Sequence, residues 1–494
     1  FFRIYCRFDK DLGCMEVLIK DIANTYLPEL VLIIFIMINM AASVFLHKNM
    51  YRISKGLTIV GIVCAIAATF YLPISPEDSF AFGGAFLSNV YTLFFKILIL
   101  ISAFFLTLLS RNMVRSTREL AFEYFTVFLS GVLFAMCCVS VMDFVGLFVC
   151  LSALGLSCYL LLTYTKSSNA RQLSFGYLVI GGVASSLFLL GLSYLYGLCG
   201  QFGFVDISNY FSQNPPHVLL TFALILMTVT ILFKLGIVPF SSWLPDTFQG
   251  AGYPIAAYIS MIPPIACFGI LARLLLIMMP FTNSLRLVFA SIAVLTIICG
   301  SLCAIRQSNV KRLMAYSMSV QSGIMLLGLC VFSVYSLSSV LFYLFFYLFA
   351  NIGAWSAIIL FYNSCKLDEI NDFKGLIYHR PYYVIAFTVI LLSLAGIAPT
   401  CGFVAKLFVF SAVARSGFVF LPFLAVAMLA SVIMIFAYWK IIRAMFRRVE
   451  NSVEIDTNVI SSKFLLYACA FATVLCCIFA DKIFGLTQLV SYYM

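Results

Sequence analysis

The apolar positions of this chain fall in long continuous runs and do not alternate every second residue. A helix needs about 20 apolar residues to cross a bilayer, whereas a barrel strand would show period two. About fourteen such runs follow one another, beginning near Leu27, Leu57, Val90, Phe122, Phe144, Gly176, Val218, Pro254, Leu287, Leu313, Leu337, Val384, Phe418 and Phe464. The pattern predicts an all-α polytopic membrane protein. The longest polar stretches are the first 26 residues and the loops at 201–217, 363–381 and 447–463, which leaves almost nothing for a soluble domain.

Composition agrees. Of 494 residues 64% are hydrophobic and 10% charged, against roughly 25% charged in soluble domains. The basic residues also alternate. Loops leaving odd-numbered spans hold Lys48, Arg52 and Lys55; Arg111, Arg115 and Arg118; Lys166 and Arg171; Arg306, Lys311 and Arg312; Lys366, Lys374 and Arg380; and Arg447 and Arg448. The opposite loops have Arg286 and Arg415 as the main exceptions. By the positive-inside rule the first set faces the cytoplasm or matrix, so both termini lie outside. The net charge of +11 is thus a topology signal, with some attraction to anionic lipid, and calls for no nucleic acid. The segment 1–26 is mixed in charge, lacks a signal-peptide pattern and reads as an N-terminal extension.

The 17 cysteines form no C-x-x-C pair and mostly lie within apolar runs, where a thiol packs as a small hydrophobe. Three histidines, His47, His217 and His379, sit near span ends and do not suggest haem or zinc ligation. No G-x-G-x-x-G or P-loop occurs. The expectation is a chain without a redox centre, cofactor or metal of its own.

Ionisable residues at membrane depth are rare and point to function. Lys96, Glu29, Asp143 and Lys440 lie close enough to span ends to read as interfacial anchors. Lys234 and Lys406 lie deeper. Around them the chain reads "FKLGIVPFSSW" and "SLAGIAPTCGFVAK", apolar spans broken by Gly and Pro. Breaks at depth are tolerated beside protein or water, and paired breaks in two halves of a transporter mark internal repeats and a translocation site. Burial disfavours the charged form of a lysine, so an amine held away from water can gain and lose a proton near neutral pH. Lys234 and Lys406 are therefore candidate stations of a proton relay.

Three stretches, "FKLGIVPFSSWLPDTFQGAGYPIAAYIS", "QSNVKRLMAYSMSVQSGIMLLG" and "SLAGIAPTCGFVAKLFVF", resemble the antiporter-like membrane subunits of respiratory NADH–quinone oxidoreductase (complex I), within them the subunit 2 or subunit N branch. "GYLVIGGVASSLFLLGLSYLYG" fits the same branch. The resemblance implies inverted repeats with two broken helices, and a division into 27–121 (three helices), 122–280 (spans four to eight), 281–445 (spans nine to thirteen) and 446–494 (a loop and the last span). It implies a mid-membrane proton path through Lys234 and Lys406, with flavin, iron–sulfur clusters and quinone in partner subunits. It also implies membrane-arm and accessory subunits and lipids as partners.

The chain departs from that pattern where the family carries ionisable groups. Ser152 stands at the fifth-span glutamate position, Gly176 and Pro264 at lysine positions, and Ser241 and Gln321 at histidine positions. Ser152, Ser241 and Gln321 can line a wet path but cannot hold charge. Lys234 then lacks the carboxylate that would favour its charged form. The expected function is a proton-translocating membrane-arm subunit. The alternatives are a scaffold subunit of the same complex with pumping impaired, or an Mrp-type cation/proton antiporter subunit. Few Trp against many Phe and Tyr suggests a mitochondrial inner membrane, with a bacterial plasma membrane as the alternative.

Overall fold

The computed structural model describes residues 25–45, 50–72, 79–116, 120–165, 168–213, 218–277, 282–365, 368–448 and 460–493. Most of the N-terminal extension, His47, Lys48, Arg118, Lys166, His217, Lys366 and most of the 447–463 loop lie outside them.

The helices are α1 (Leu27–Phe45), α2 (Met50–Tyr71), α3 (Val90–Leu109), α4 (Arg111–Ser116), α5 (Ala121–Ser140), α6 (Phe144–Thr163), α7 (Ser168–Cys199), α8 (Phe204–Gln213), α9 (Val218–Lys234) and α10 (Trp243–Gly250). They continue as α11 (Tyr253–Ile277), α12 (Thr282–Arg306), α13 (Val310–Leu329), α14 (Val334–Cys365), α15 (Leu376–His379), α16 (Pro381–Ala395), α17 (Cys401–Arg415), α18 (Leu421–Phe446), α19 (Ile460–Ile478) and α20 (Ala480–Tyr492). A two-stranded antiparallel hairpin, β1 (Ser79–Ala81) and β2 (Phe86–Ser88), precedes α3.

Among the described residues ten helices are long and apolar enough to cross a membrane. The other expected spans fall short for visible reasons. The half-helices α9 and α16 end at breaks, α13 opens on Lys311 and Arg312, and α19 turns by 85° into α20. Starts are set by caps. Asn89 forms a capping box with Thr92 at α3, Asp143 accepts from Gly146 N at α6 (2.7 Å), and Asn309 accepts from the Lys311 and Arg312 amides at α13. Each satisfies backbone donors that have no partner in the first turn.

Several boundaries differ from the sequence reading. The second span starts at Met50, because Arg52 and Lys55 are carried on its first turns. The sixth starts at Ser168, so Gly176 lies inside α7. Part of the 201–217 loop is the amphipathic helix α8. The hairpin and α20 have too little periodicity to be read from residues alone.

Packing ranks the helices. Every residue in the apolar window of α11 is buried, and 89% of that of α14, against 22% for α1 and 28% for α7 and α18. Helices α11 and α14 pack together at the centre. The outer helices keep apolar faces toward the bilayer, as a lipid solvent allows.

The structure revises the reading of two charges. Glu29 on α1 and Lys96 on α3 form an ion pair at 2.8 Å, with side chains 0% and 1% exposed. Neither is an interfacial anchor, because each side chain is enclosed by helices rather than directed at the lipid surface. Lys440 bonds the Gln307 carbonyl (2.7 Å) at the end of α12.

Candidate functional site: two broken helices and their lysines

The two breaks are built alike. In each, the chain reads Gly-Ile-x-Pro: Gly236 to Pro239, and Gly396 to Pro399. Both glycines have positive φ, 66° and 81°, and both X-Pro bonds are cis. Ile237 N reaches back to Leu232 O (3.1 Å) and Ile397 N to Leu392 O (3.0 Å), the glycine-dependent helix ending that ties up terminal carbonyls. The carbonyls at such an end carry a partial negative charge; the Lys406 amine reaches them, whereas Lys234 is itself the last residue of its half-helix.

Lys406, 6% exposed, projects from α17 back across the break. Its Nζ donates to Ala395 O (2.7 Å) and Leu394 O (3.1 Å). Gln321 Nε2 on α13 donates to the same Leu394 carbonyl at 3.0 Å. Tyr343 on α14 donates its hydroxyl to Gln321 Oε1, and Tyr438 on α18 joins Ser317 Oγ at 2.5 Å. A cavity of about 10 Å³ between Gln321, Tyr343, Tyr347 and Ser393 has room for about one water.

Lys234 is the last residue of α9 and 7% exposed. Among the described residues no protein group forms a hydrogen bond with its amine. It lies instead against Gly155 of α6, where a Cβ would stand 2.9 Å from Nζ. Ser152 is one turn from Gly155 along α6. Trp243 Nε1 donates to Phe233 O (3.1 Å) and closes the end of α9.

The first break is held by helices of the second half. Val238 N donates to Thr296 Oγ1 on α12 (3.1 Å), and Ser319 Oγ on α13 donates to Gly236 O (2.5 Å). Helix α13 therefore bonds both breaks, through Ser319 on one side and Gln321 on the other.

Of the residues singled out from sequence, Lys406 and Gln321 come together at one carbonyl. Lys234 is buried but stands apart from them. Ser241 lies in the turn after Pro239, and its backbone oxygen accepts from Leu244 N; neither its hydroxyl nor that of Ser152 joins the network. At Gly176 an added Cβ would meet open space. Sequence reading missed Gly155, Ser319, Tyr343 and Tyr438. A single Tyr, Ser or Gly in an apolar helix has many uses, and what these four face is set by the packing of other helices.

On the side of the basic loops a cavity of about 470 Å³ opens between Gln172, Asp246, Gln249, Asn309, Lys311 and Asp368. Lys311 donates to Ala251 O (3.1 Å) and lies over the Tyr253 ring, while Arg312 pairs with Asp246 at 2.7 Å. Tyr253 donates to Asp368. Burial first, then Asp372 and Glu369, push the Asp368 carboxyl above its usual range. The folded chain then binds this proton more tightly than the unfolded one. Stability falls as pH rises from the ordinary aspartate range through the raised value. Asp368→Asn is expected to flatten that dependence in unfolding midpoints measured against pH.

The glycines differ in what they tolerate. A Cβ at Gly402 would stand 1.8 Å from Ser393 O, a backbone atom, whereas at Gly155 it meets the mobile end of Lys234. Gly402→Ala is expected to cost at least about 3 kcal/mol in thermal unfolding. Gly155→Ala should cost under about 1 kcal/mol.

Residues 141–446 match the family described as NADH:quinone oxidoreductase/Mrp antiporter, TM. NAD(P)H-quinone oxidoreductase subunit 2 of the Chlorokybus atmophyticus chloroplast is 34% identical over 426 residues, 85% of this chain and 82% of that protein. NADH-quinone oxidoreductase subunit N of Ruthia magnifica is 31% identical over 451 residues, 88% and 92% of the two. The fold is shared with a chain of respiratory complex I from Thermus thermophilus with bound aureothin (TM-score 0.79, 24% identity, 93% and 98% covered). It is also shared with a chain of the archaeal membrane-bound sulfane sulfur reductase (TM-score 0.87, 22% identity, 96% and 97% covered). With more than half its length matched and relatives above 30% identity covering most of it, the chain belongs to the NADH:quinone oxidoreductase/Mrp antiporter membrane family.

Proposed function

We propose that this chain is a membrane-arm subunit of a proton-pumping NADH- or NAD(P)H-quinone oxidoreductase, and that it carries part of the proton path. The observation that carries the reading is the Lys406 amine, buried on two carbonyls freed by a broken helix and sharing one of them with Gln321. Such an amine can give up and recover a proton while the backbone around it stays satisfied. The names of the relatives, subunit 2 and subunit N of quinone oxidoreductases, support this assignment over an Mrp-type antiporter.

In this reading the first unit runs over 122–280 and the second over 281–445. The remaining membrane-arm and accessory subunits and lipids surround them. Flavin, iron–sulfur clusters and quinone sit in partner subunits, and this chain supplies no redox centre. The membrane is an energy-coupling one, bacterial or organellar, with the 470 Å³ cavity facing the side from which protons are drawn.

A scaffold role with pumping lost is the second reading. It is favoured by Lys234, whose amine meets Gly155 and has no carboxylate beside it at Ser152. Two measurements decide. Co-purification with flavin and iron–sulfur subunits separates both readings from a stand-alone antiporter. In the purified complex reconstituted in liposomes, protons moved per electron should fall with Lys406→Met, Lys234→Met or both. An unchanged ratio in both variants leaves only the scaffold.

A further inference from the structure

On the side of the basic loops, α1 ends at Phe45, α2 begins at Met50, and α3 gives way to the short helix α4. Tyr51 and Lys55 are four residues apart on α2, and Arg111 and Arg115 four apart on α4, so each pair shares one helix face. Arg111 and Arg115 stand within electrostatic range of the Tyr51 hydroxyl, and Arg111 within range of Lys55. A phenol and three cations therefore converge. Nothing in the chain answers them. Among the described residues none of the three cations forms an ion pair or a side-chain hydrogen bond. Glu123, in the first turn of α5, pairs with none of them. The Tyr51 hydroxyl is shut off from solvent and has no partner.

Basic residues on this side follow from topology alone. A buried hydroxyl without a partner among them does not. Like charges held together repel, and an unpaired buried hydroxyl costs free energy. A phosphate relieves both, because its oxygens neutralise the cations and accept from the phenol. The surface below says where that phosphate comes from. Arg52, Gly56, Val60 and Val63 share the outer face of α2, and Val60 and Val63 are exposed. At Gly56 an added Cβ would meet open space. Val44 and Phe45, at the same end of α1, are also exposed. An apolar strip thus runs from the basic end of these helices into the bilayer, where it fits acyl chains and gives nothing to a free anion. Basic clusters on this face of a membrane protein are general sites for anionic headgroups.

We propose that Tyr51, Lys55, Arg111 and Arg115 bind the headgroup phosphate of an anionic phospholipid whose acyl chains lie along α1 and α2. The site adjoins the basic-side cavity. Met113, between the two arginines on α4, packs at Gly252, where a Cβ would stand 2.6 Å from its sulfur. Gly252 lies between Ala251, which accepts from Lys311, and Tyr253, which donates to Asp368. A phosphate that holds α4 in place therefore also steadies, through Met113, the junction of α10 and α11 beside that cavity.

The test uses the assembled complex in detergent and a photoreactive phosphatidylglycerol with its diazirine near the glycerol. Label should map to α2 and α4 around Tyr51 and Arg111. Excess phosphatidylglycerol should remove it, whereas phosphatidylcholine or inorganic phosphate should not. Arg111→Gln with Arg115→Gln should lower the label several-fold, and Tyr51→Phe, which removes only the hydroxyl, should lower it less. Arg447→Gln with Arg448→Gln takes two charges from the same side, just beyond α18, and should leave the label unchanged. Retained quinone reduction reports assembly. If the double arginine variant does not assemble, Tyr51→Phe and the competition on the unsubstituted complex still decide. Label that phosphatidylcholine removes equally well, or that falls as far in the Arg447 and Arg448 variant, overturns the site. Competition by inorganic phosphate overturns the lipid as its occupant. Labelling reads no proton movement, so its failure and a failure of the proton-pumping assignment are separate results.

Discussion

Lys406→Met should remove this subunit's share of proton translocation, while quinone reduction by the assembled complex continues once an uncoupler has collapsed the gradient. The thioether fills most of the space of the amine but donates nothing. Leu394 O keeps its bond from Gln321, whereas Ala395 O loses its 2.7 Å partner. One buried carbonyl left unpaired costs about 1–3 kcal/mol, so a modest fall in thermal stability should accompany the functional loss. Lys406→Arg separates the two effects. A guanidinium can still donate to the carbonyls but is not deprotonated in proteins, so it should restore stability and not translocation. If the arginine variant pumps as the parent does, Lys406 acts as a fixed charge and not as a proton carrier.

Lys96→Met should be the most destabilising single change away from the breaks. It strands the Glu29 carboxylate, 0% exposed, without its counter-ion, at a cost of about 3–5 kcal/mol. Adding Glu29→Leu should recover most of that loss, because a buried ion pair replaced by apolar groups of similar size is often neutral or stabilising. The measurement is a double-substitution cycle on the unfolding midpoint of the purified complex. Equal losses in Lys96→Met and the double variant would show that the pair adds nothing beyond packing.

How much of this was legible beforehand depends on the kind of signal. Hydropathy reports solvent, so the spans, their order and the basic-loop alternation could be read directly. The breaks at Gly236 and Gly396 could also be read, because only glycine adopts positive φ freely and both are followed by proline. Partnership was not legible. Lys96 and Glu29 are 67 positions apart in the chain, and nothing in either run says that α1 and α3 touch. Gln321 could be named as a substitute for a histidine, but its tie to Leu394 O depends on where α13 lies against α16.

The cap of α3 has a consequence for how the protein is made. Asn89, besides its capping box, donates through Nδ2 to Tyr493 O at 2.7 Å, across 404 positions of sequence. A ribosome delivers α3 to the membrane long before it delivers α20. The tie between the start of the third span and the last described helix therefore forms only after every other helix described has been synthesised. Closure of this contact is a late event in biogenesis, and a chain halted before α20 would carry its first helices in an unfinished state.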